Sequence, residues 1–431
     1  MTEDQTQAAP ALKEIFDRAR LQHIAGEMVS ISPDFDHERF MALATNNLDA
    51  LGIMQRLRQT AEALRGALPG DFARSVGLLR ELAPRINHGF ASIMLPEFVA
   101  LYGRAEFDRS MEALHYFTRF GSAEFAIRHF LADDFDRTLK VMHGWALDGN
   151  EHVRRLASEG SRPRLPWSFQ MKNLIADPSP TLPILEALKS DPSLYVRKSV
   201  ANHLNDVSKD NAELLLERLA GWDMADRNTA WIVRHALRTL IKKGDPKALA
   251  LIGTSGRPEV DVASFAVTPA SIALGGRIAL KTSIVSTAER QQQLVVDYAV
   301  HYVKKAGGTS KKVFKLKEIT LPPAGRKELE ISQAVRDFTT RKHYPGHHRI
   351  ELIVNGETVA ELRAEFEHAV KDYLAECKKE GLHPEKPASG KLLLRVPPEV
   401  HGRALVAAQA AGKSLNQWAT EVLQQAVQPG G

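Results

Sequence analysis

The chain has 431 residues, more than one compact core holds, since single cores stop growing near roughly 250 to 300 residues, so two or three domains are expected. A hydrophobic content of 44% and a charged content of 25% exclude global disorder; no apolar run approaches the roughly 18 to 20 residues that span a bilayer, and the start MTEDQTQAAP lacks a signal-peptide pattern, so a cytoplasmic protein without membrane contact is expected. The single cysteine, Cys377, excludes an internal disulfide and a thiolate zinc cage, and the net charge of +5 is mild support for a polyanionic partner without identifying one.

From about Ala11 to Leu251 apolar residues recur three and four apart and prolines fall between the runs, which predicts helices throughout. A short phrase returns as Val153-Arg154-Arg155-Leu156, Val196-Arg197-Lys198-Ser199 and Val233-Arg234-His235-Ala236, at spacings of 43 and 37 residues. Those spacings are near the roughly 40-residue period of HEAT-type helical pairs, whose stacks curve into a concave surface. Each Val is expected in the core and each following Arg outside it. Two uses of these arginines stay open: contacts to phosphates, or caps and ion pairs between repeats. Trp145, Trp222 and Trp231 read as core.

Near Arg257 the composition changes. Val262 to Thr268, Ile278 to Ser286, Leu294 to Val303, Val313 to Leu321 and Arg349 to Val354 read as strands, and Asn355-Gly356 as a hairpin turn. About seven strands in roughly 100 residues predict an immunoglobulin-like β-sandwich. Lys304, Lys305, Lys311, Lys312, Lys315 and Lys317 cluster around one hairpin and Arg341, Lys342, His343, His347, His348 and Arg349 around another; either a solvated face or direct DNA contact explains such runs. A linker ends at Gly390. Lys391 to Val396 then reads as a strand, followed by helices from about Pro398 to Ala411 and from about Leu415 to Val427, the second with Ser414 as N-cap. So small a unit cannot bury a core alone, which predicts a homodimer through this module.

The segment NEHVRRLASEGSRPRLPW, Asn150 to Trp167, concentrates chemistry. Arg154, Arg155, Arg162 and Arg164 surround Glu151 and Glu159, and Gly160 and Pro163 expose a backbone that ends in Trp167. The arginines can reach phosphates and the indole a sugar or base. Glu159 either neutralises its neighbours or stabilises positive charge developing on a deoxyribose while positioning a water. Glu124 and Asp206, in neighbouring candidate repeats, either join that site or serve as caps and surface ion pairs. The run Gly275 to Thr282 imitates a phosphate-binding loop but carries Leu280 where glycine is needed, and His343, His347 and His348 lack acids at metal-ligand spacing, so no metal is expected.

On FTRFGSAEFAIRHFL, DGNEHVRRLASEGSRPRLPW, LKSDPSLYVRKSVANHLNDVSKD, WIVRHALRTLIKKGDPKALALIG, VDYAVHYVKKAGGTSKKVFKLK and TTRKHYPGHHRIEL, the chain from about Leu12 to Glu367 resembles the AlkC branch of the AlkD-like DNA alkylation repair glycosylases. The resemblance implies a mainly α protein: a HEAT-like solenoid that binds duplex DNA in its concave face over residues 1–256, then an immunoglobulin-like β-sandwich at 257–368 that helps to encircle the duplex. It implies excision of cationic bases, 3-methylcytosine and 3-methyladenine, from DNA without a metal or nucleotide cofactor, by bending the duplex rather than flipping the base into a deep pocket. Glu159, Glu124 and Asp206 are then the catalytic candidates, Trp167 a sugar or base contact, and Arg155, Arg162, Arg164, Arg197 and Lys312 DNA contacts.

After a linker at 369–390, residues 391–428 resemble the ribbon-helix-helix domain of HicB-like antitoxins, which places Lys391, Leu393 and Arg395 toward DNA and Leu392, Leu394 and Val396 toward the core. Leu393 is apolar where a base reader is usually polar, so dimerisation or general DNA affinity fits the module better than sequence-specific reading. The rival to the enzyme is a non-catalytic HEAT-repeat scaffold, or a DNA-binding regulator with an antitoxin-like tail.

Overall fold

The computed structural model describes residues 12–366, except 255, 306, 336 and 338–341, and residues 398–411, 415, 418 and 419. The chain divides into two units, residues 1–367 and 368–431. The first begins with sixteen α-helices. They are α1 Arg18–Ile31, α2 His37–Ala44, α3 Ile53–Ala67, α4 Phe72–Leu82, α5 Met94–Tyr102, α6 Phe107–Phe117, α7 Ile127–Asp133 and α8 Phe135–Trp145. The series continues with α9 Glu151–Gly160, α10 Lys172–Ala176, α11 Leu182–Ala187, α12 Leu194–Val207, α13 Ala212–Ala220, α14 Arg227–Ala236, α15 Arg238–Lys242 and α16 Pro246–Leu251. Polar caps set many of the starts: Asp17, Asp36, Asp71, Asp134, Asn150, Ser193, Asp226 and Asp245 each accept a hydrogen bond from a backbone N–H of the first turn, satisfying donors the helix itself leaves unpaired.

These helices form the helical-repeat solenoid around one continuous apolar core. Helix α12 packs between α9 and α14, and Val153, Val196 and Val233 are all buried where the repeat spacing put them. Trp145 and Trp222 are buried, and Trp231 packs partly buried against the same core. The arginines that follow the valines are used mainly between repeats. Arg154 donates to the carbonyls of Asp148 and Gly149 and, through Nε, to the Asp191 carboxylate at 2.7 Å. Arg197 donates to the carbonyls of Asp191 and Pro192, both at 2.8 Å, and lies over the Trp231 ring. Arg154 and Arg197 thus brace the loops that precede their helices against the next repeat, while Arg234 stands 4.0 Å from Glu318.

The sandwich consists of β1 Val260–Thr268, β2 Ser271–Ile272, β3 Arg277–Ser286, β4 Gln292–Val303, β5 Thr309–Leu321, β6 Arg326–Ala334, β7 Gly346–Val354 and β8 Glu357–Phe366. One sheet has the order β1-β3-β6, the other β2-β8-β7-β4-β5. All pairings are antiparallel except β2 with β8. The run Gly275 to Thr282 turns into β3, not into a helix. Strand β6 is legible only in part, because its sequence RKELEISQA is mostly polar and contributes Leu329 and Ile331 at alternate positions. Strand β4 is buried on both faces: Leu294, Val296, Tyr298 and Val300 enter the sandwich core while Val295 joins the solenoid core. That double burial explains its nearly unbroken apolar sequence.

The hairpin turn also docks onto the helices. Asn355 and Gly356 have φ of 49° and 83°, the left-handed pair a tight hairpin turn needs. Asn355 accepts from the Val295 N–H and donates to the Gly256 carbonyl. A Cβ on Gly356 would stand 2.0 Å from the Gly244 Cα, so only glycine admits this backbone-on-backbone contact. Of the second unit, helix α17 spans Pro398–Ala410 and buries Ala408; the expected strand Lys391 to Val396 and most of the second helix lie outside the described residues. Among the described residues no helix is long and apolar enough to cross a membrane.

Candidate active site

Helix α9 presents Arg155 and Glu159 four residues apart, on one face. Glu159 is the penultimate residue of the helix, and Arg162 follows in the turn, where its Nη1 donates to Glu159 Oε1 at 2.6 Å. The same guanidinium reaches α12, its Nε donating to Asp206 Oδ2 at 2.8 Å, and Lys209 donates to the other Asp206 oxygen at 2.8 Å. On the opposite side Arg155 donates to Glu124 Oε2 at 2.8 Å and to Ser122 Oγ at 3.0 Å, while its Nη2 stands 3.8 Å from Glu159. The Ser122 hydroxyl donates in turn to Glu124 at 2.7 Å. Glu124, Glu159 and Asp206 thus form one chain in which three carboxylates share two guanidinium groups.

Burial grades along this chain. The side chain of Asp206 is 3% exposed, that of Glu159 7% and that of Glu124 14%. Burial opposes the charges of Arg155 and Arg162, but the adjacent carboxylates outweigh it and hold both above the ordinary arginine pKa. Both guanidinium groups are therefore fixed cations. His203 lies behind them, fully buried, with Nδ1 donating to the Ser158 carbonyl at 2.9 Å. Burial lowers its pKa to about 4, so it is neutral near pH 7.

Ser122, the hydrogen-bond partner of Glu124, borders an aromatic cleft. Ser122, Phe90, Phe120, His152 and Tyr195 line this hollow of about 260 Å³. The Tyr195 ring lies 4.6 Å from the Arg155 guanidinium carbon, and His152 meets Tyr195 edge-on. Burial raises the Tyr195 pKa, so it stays a phenol. Trp167 meets Phe90 edge-on at 6.2 Å, is 59% exposed, and has φ of 65°. A bulky residue in the left-handed region is strained and persists only where its surroundings hold it. An exposed, strained indole against Phe90 of the aromatic cleft can meet a sugar or base, and carboxylates such as those of the acidic chain can face developing positive charge.

Comparison with known proteins identifies the family. Residues 113–240, which include Glu124, Glu159, Trp167 and Asp206, match a family model described as DNA alkylation repair enzyme. Residues 261–368 match the C-terminal Ig-like domain of the uncharacterised protein YhaZ, and residues 373–423 match the HicB family. The uncharacterized protein YhaZ of Bacillus subtilis (strain 168) is 40% identical over 347 residues, covering 80% of this chain and 96% of that protein. A solved structure of the Pseudomonas fluorescens alkylpurine DNA glycosylase AlkC, bound to DNA containing an abasic site analog, is 53% identical, with a TM-score of 0.81 over 83% of this chain and 100% of that one. The chain belongs to the AlkC family.

In this AlkC-family chain the expected DNA contacts separate. Arg155 and Arg162 are bridges between acids rather than free cations. Arg164 makes a two-pronged pair with Asp210, both contacts at 2.8 Å, and Arg197 braces the loop described above. Lys312 pairs with Val300 in the sheet and lies over Phe314, so it shares the face of the sandwich core at an edge strand. Lys311 and Arg349, paired with His301 on the other face, gather instead around the buried carboxylate of Glu351. Lys391 and Arg395 lie outside the described residues. Sequence reasoning missed Tyr195, Phe90 and Ser122, which carry no motif of their own. It also missed Arg128, whose signal was present: a charge set among Ile127, Phe130 and Leu131 on an apolar helix.

Proposed function

We propose that the chain is a monofunctional DNA glycosylase that hydrolyses the N-glycosidic bond of cationic alkylated bases, 3-methylcytosine and 3-methyladenine, in duplex DNA. The observation that carries this reading is the chain Glu124, Arg155, Glu159, Arg162, Asp206 beside the strained Trp167. The AlkC neighbour, 53% identical, supports the reaction class. A base methylated at N3 is positively charged. When its bond to C1′ breaks, the bonding pair stays on the ring nitrogen and the base leaves neutral, so no general acid is required. The positive charge passes to C1′ and the ring oxygen as an oxocarbenium-like state. Glu159 and Glu124, held in place by their arginines, stabilise that charge; a water attacks C1′ and releases its proton to one of these carboxylates. Asp206 keeps Arg162 in place. The products are the free base and a 1′-hydroxyl abasic site.

The test uses a duplex oligonucleotide carrying one 3-methylcytosine, incubated with the protein and then treated with alkali. Strand scission at the lesion only after alkali is expected. An uncut strand together with no release of 3-methyladenine from methylated DNA, under conditions where the protein binds the DNA, would leave only the scaffold or regulator reading, whereas scission without alkali would contradict monofunctional chemistry.

A further inference from the structure

Arg128 is the one wholly buried guanidinium beside the acidic chain that none of its carboxylates holds among the described contacts. Its side chain on α7 has 0% exposure. Nη1 donates to the Gly160 carbonyl at 3.1 Å and to the Arg162 carbonyl at 2.7 Å; Nη2 donates to the Phe169 carbonyl, and the Phe169 ring lies 5.3 Å from the guanidinium carbon. Burial, and secondarily the charge of Arg162, lowers its pKa to about 10, so it remains a cation at neutral pH. Burying such a charge away from a carboxylate is costly unless fixed dipoles replace water. Here three carbonyls do so, and a planar fork suits them as an ammonium would not.

Those three carbonyls bracket residues 160–169. Inside the bracket stand Arg162, which joins Glu159 to Asp206, and Trp167 in its left-handed conformation. The loop is also tied by the Met171 N–H to the Pro163 carbonyl at 3.0 Å, the Ser168 N–H to the Leu165 carbonyl at 3.4 Å and the Arg162 N–H to the Glu159 carbonyl at 3.3 Å, and by the pair of Arg164 with Asp210. Among the described contacts none of these holds the Phe169 carbonyl, which follows Trp167 closely in the chain and which Arg128 grips. We infer that Arg128 is the positioning residue of this segment: its fork fixes the loop so that Trp167 faces DNA while Arg162 stays between its acids. The inference rests on Trp167 being a DNA contact, as proposed above.

The test is Arg128→Lys, which keeps the charge but cannot span three carbonyls. The first readout is the fluorescence anisotropy of Trp167, taken as the difference between each protein and its Trp167→Phe counterpart, without DNA. It is expected to fall in the Lys variant. The second is single-turnover excision of 3-methylcytosine by Arg128→Lys, Trp167→Ala and the double variant. Each single change is expected to slow excision about 10- to 100-fold, as small misplacements in an active site do, with the double variant no slower than the slower single one. Unchanged anisotropy, or single effects that multiply, would overturn the inference. If Arg128→Lys fails to fold, Phe169→Leu replaces it in both measurements, since it removes the ring beneath the fork at a half-exposed position. Absence of excision by the parent protein would reject the proposed reaction, while the anisotropy would still decide the role of Arg128.

Discussion

At the scale of single residues, each arginine of the acidic chain fixes where a buried carboxylate stands. Replacing Glu159 by Gln preserves shape and removes only the charge. The expected result is a loss of most of the excision rate, on the order of 100-fold or more, with DNA affinity retained; an unchanged rate in single-turnover assays would transfer the role to Glu124. Stability is governed by other residues. His203 and His348 are both held at about 4 by burial, below the ordinary histidine value of about 6.5. Their neutral forms are favoured in the folded protein, so their contribution is complete above about pH 6.5 and is lost as the pH falls toward 4. Asp297, raised to about 6 by burial, acts with the opposite sign, its contribution full below about pH 4 and lost as pH rises through 6. Two histidines against one aspartate predict a melting temperature that falls from pH 7 to pH 5, with a shallower fall in His203→Gln; equal slopes in the two proteins would remove His203 from this account.

At the scale of elements, the site depends on how closely backbone segments approach. A Cβ on Gly121 would lie 2.6 Å from the Ser92 carbonyl carbon and 2.7 Å from the Gly89 oxygen and the Ile93 nitrogen. These are backbone atoms of the wall of the aromatic cleft, and they cannot rotate away as a flexible side chain would. Gly121→Ala is therefore expected to lower stability by about 1 to 3 kcal/mol and to slow excision by shifting Ser122 against Glu124. Calorimetry and single-turnover rates measure the two effects; a stable variant of full activity would show that the wall yields. The acids themselves come from three separate elements, namely the turn before α7, the end of α9 and α12, so no local motif holds them together.

For the whole molecule, the solenoid and sandwich share one compact unit, with β4 buried between the two cores and the Gly244 and Gly356 turns in backbone contact. The HicB-family match at residues 373–423 lies beyond it. A segment of that size buries little surface alone, and pairing with a second copy is the proposed remedy. Deleting the residues after Ala388 is expected to convert a dimer to a monomer in light scattering and to leave excision largely intact. A dimer that survives the deletion would place the self-association elsewhere, and a large loss of excision would make the tail part of the DNA grip.

The sequence by itself determined the period of the helical repeat, the buried valines within it, the glycine-dependent hairpin at Asn355-Gly356 and the acids from which the site is built, because periodicity, turn chemistry and residue type are local properties. Tertiary structure alone decided which acid shares which arginine, since Glu124, Glu159 and Asp206 meet only when α12 packs on α9. It also decided which of the adjacent Lys311 and Lys312 faces the sandwich core. A register shift between Val296 and Asp297 intervenes there, and a displacement of one residue exchanges the faces of a strand. The use of Arg128 was likewise hidden, because its three partners are main-chain carbonyls, which every residue possesses and no sequence pattern distinguishes.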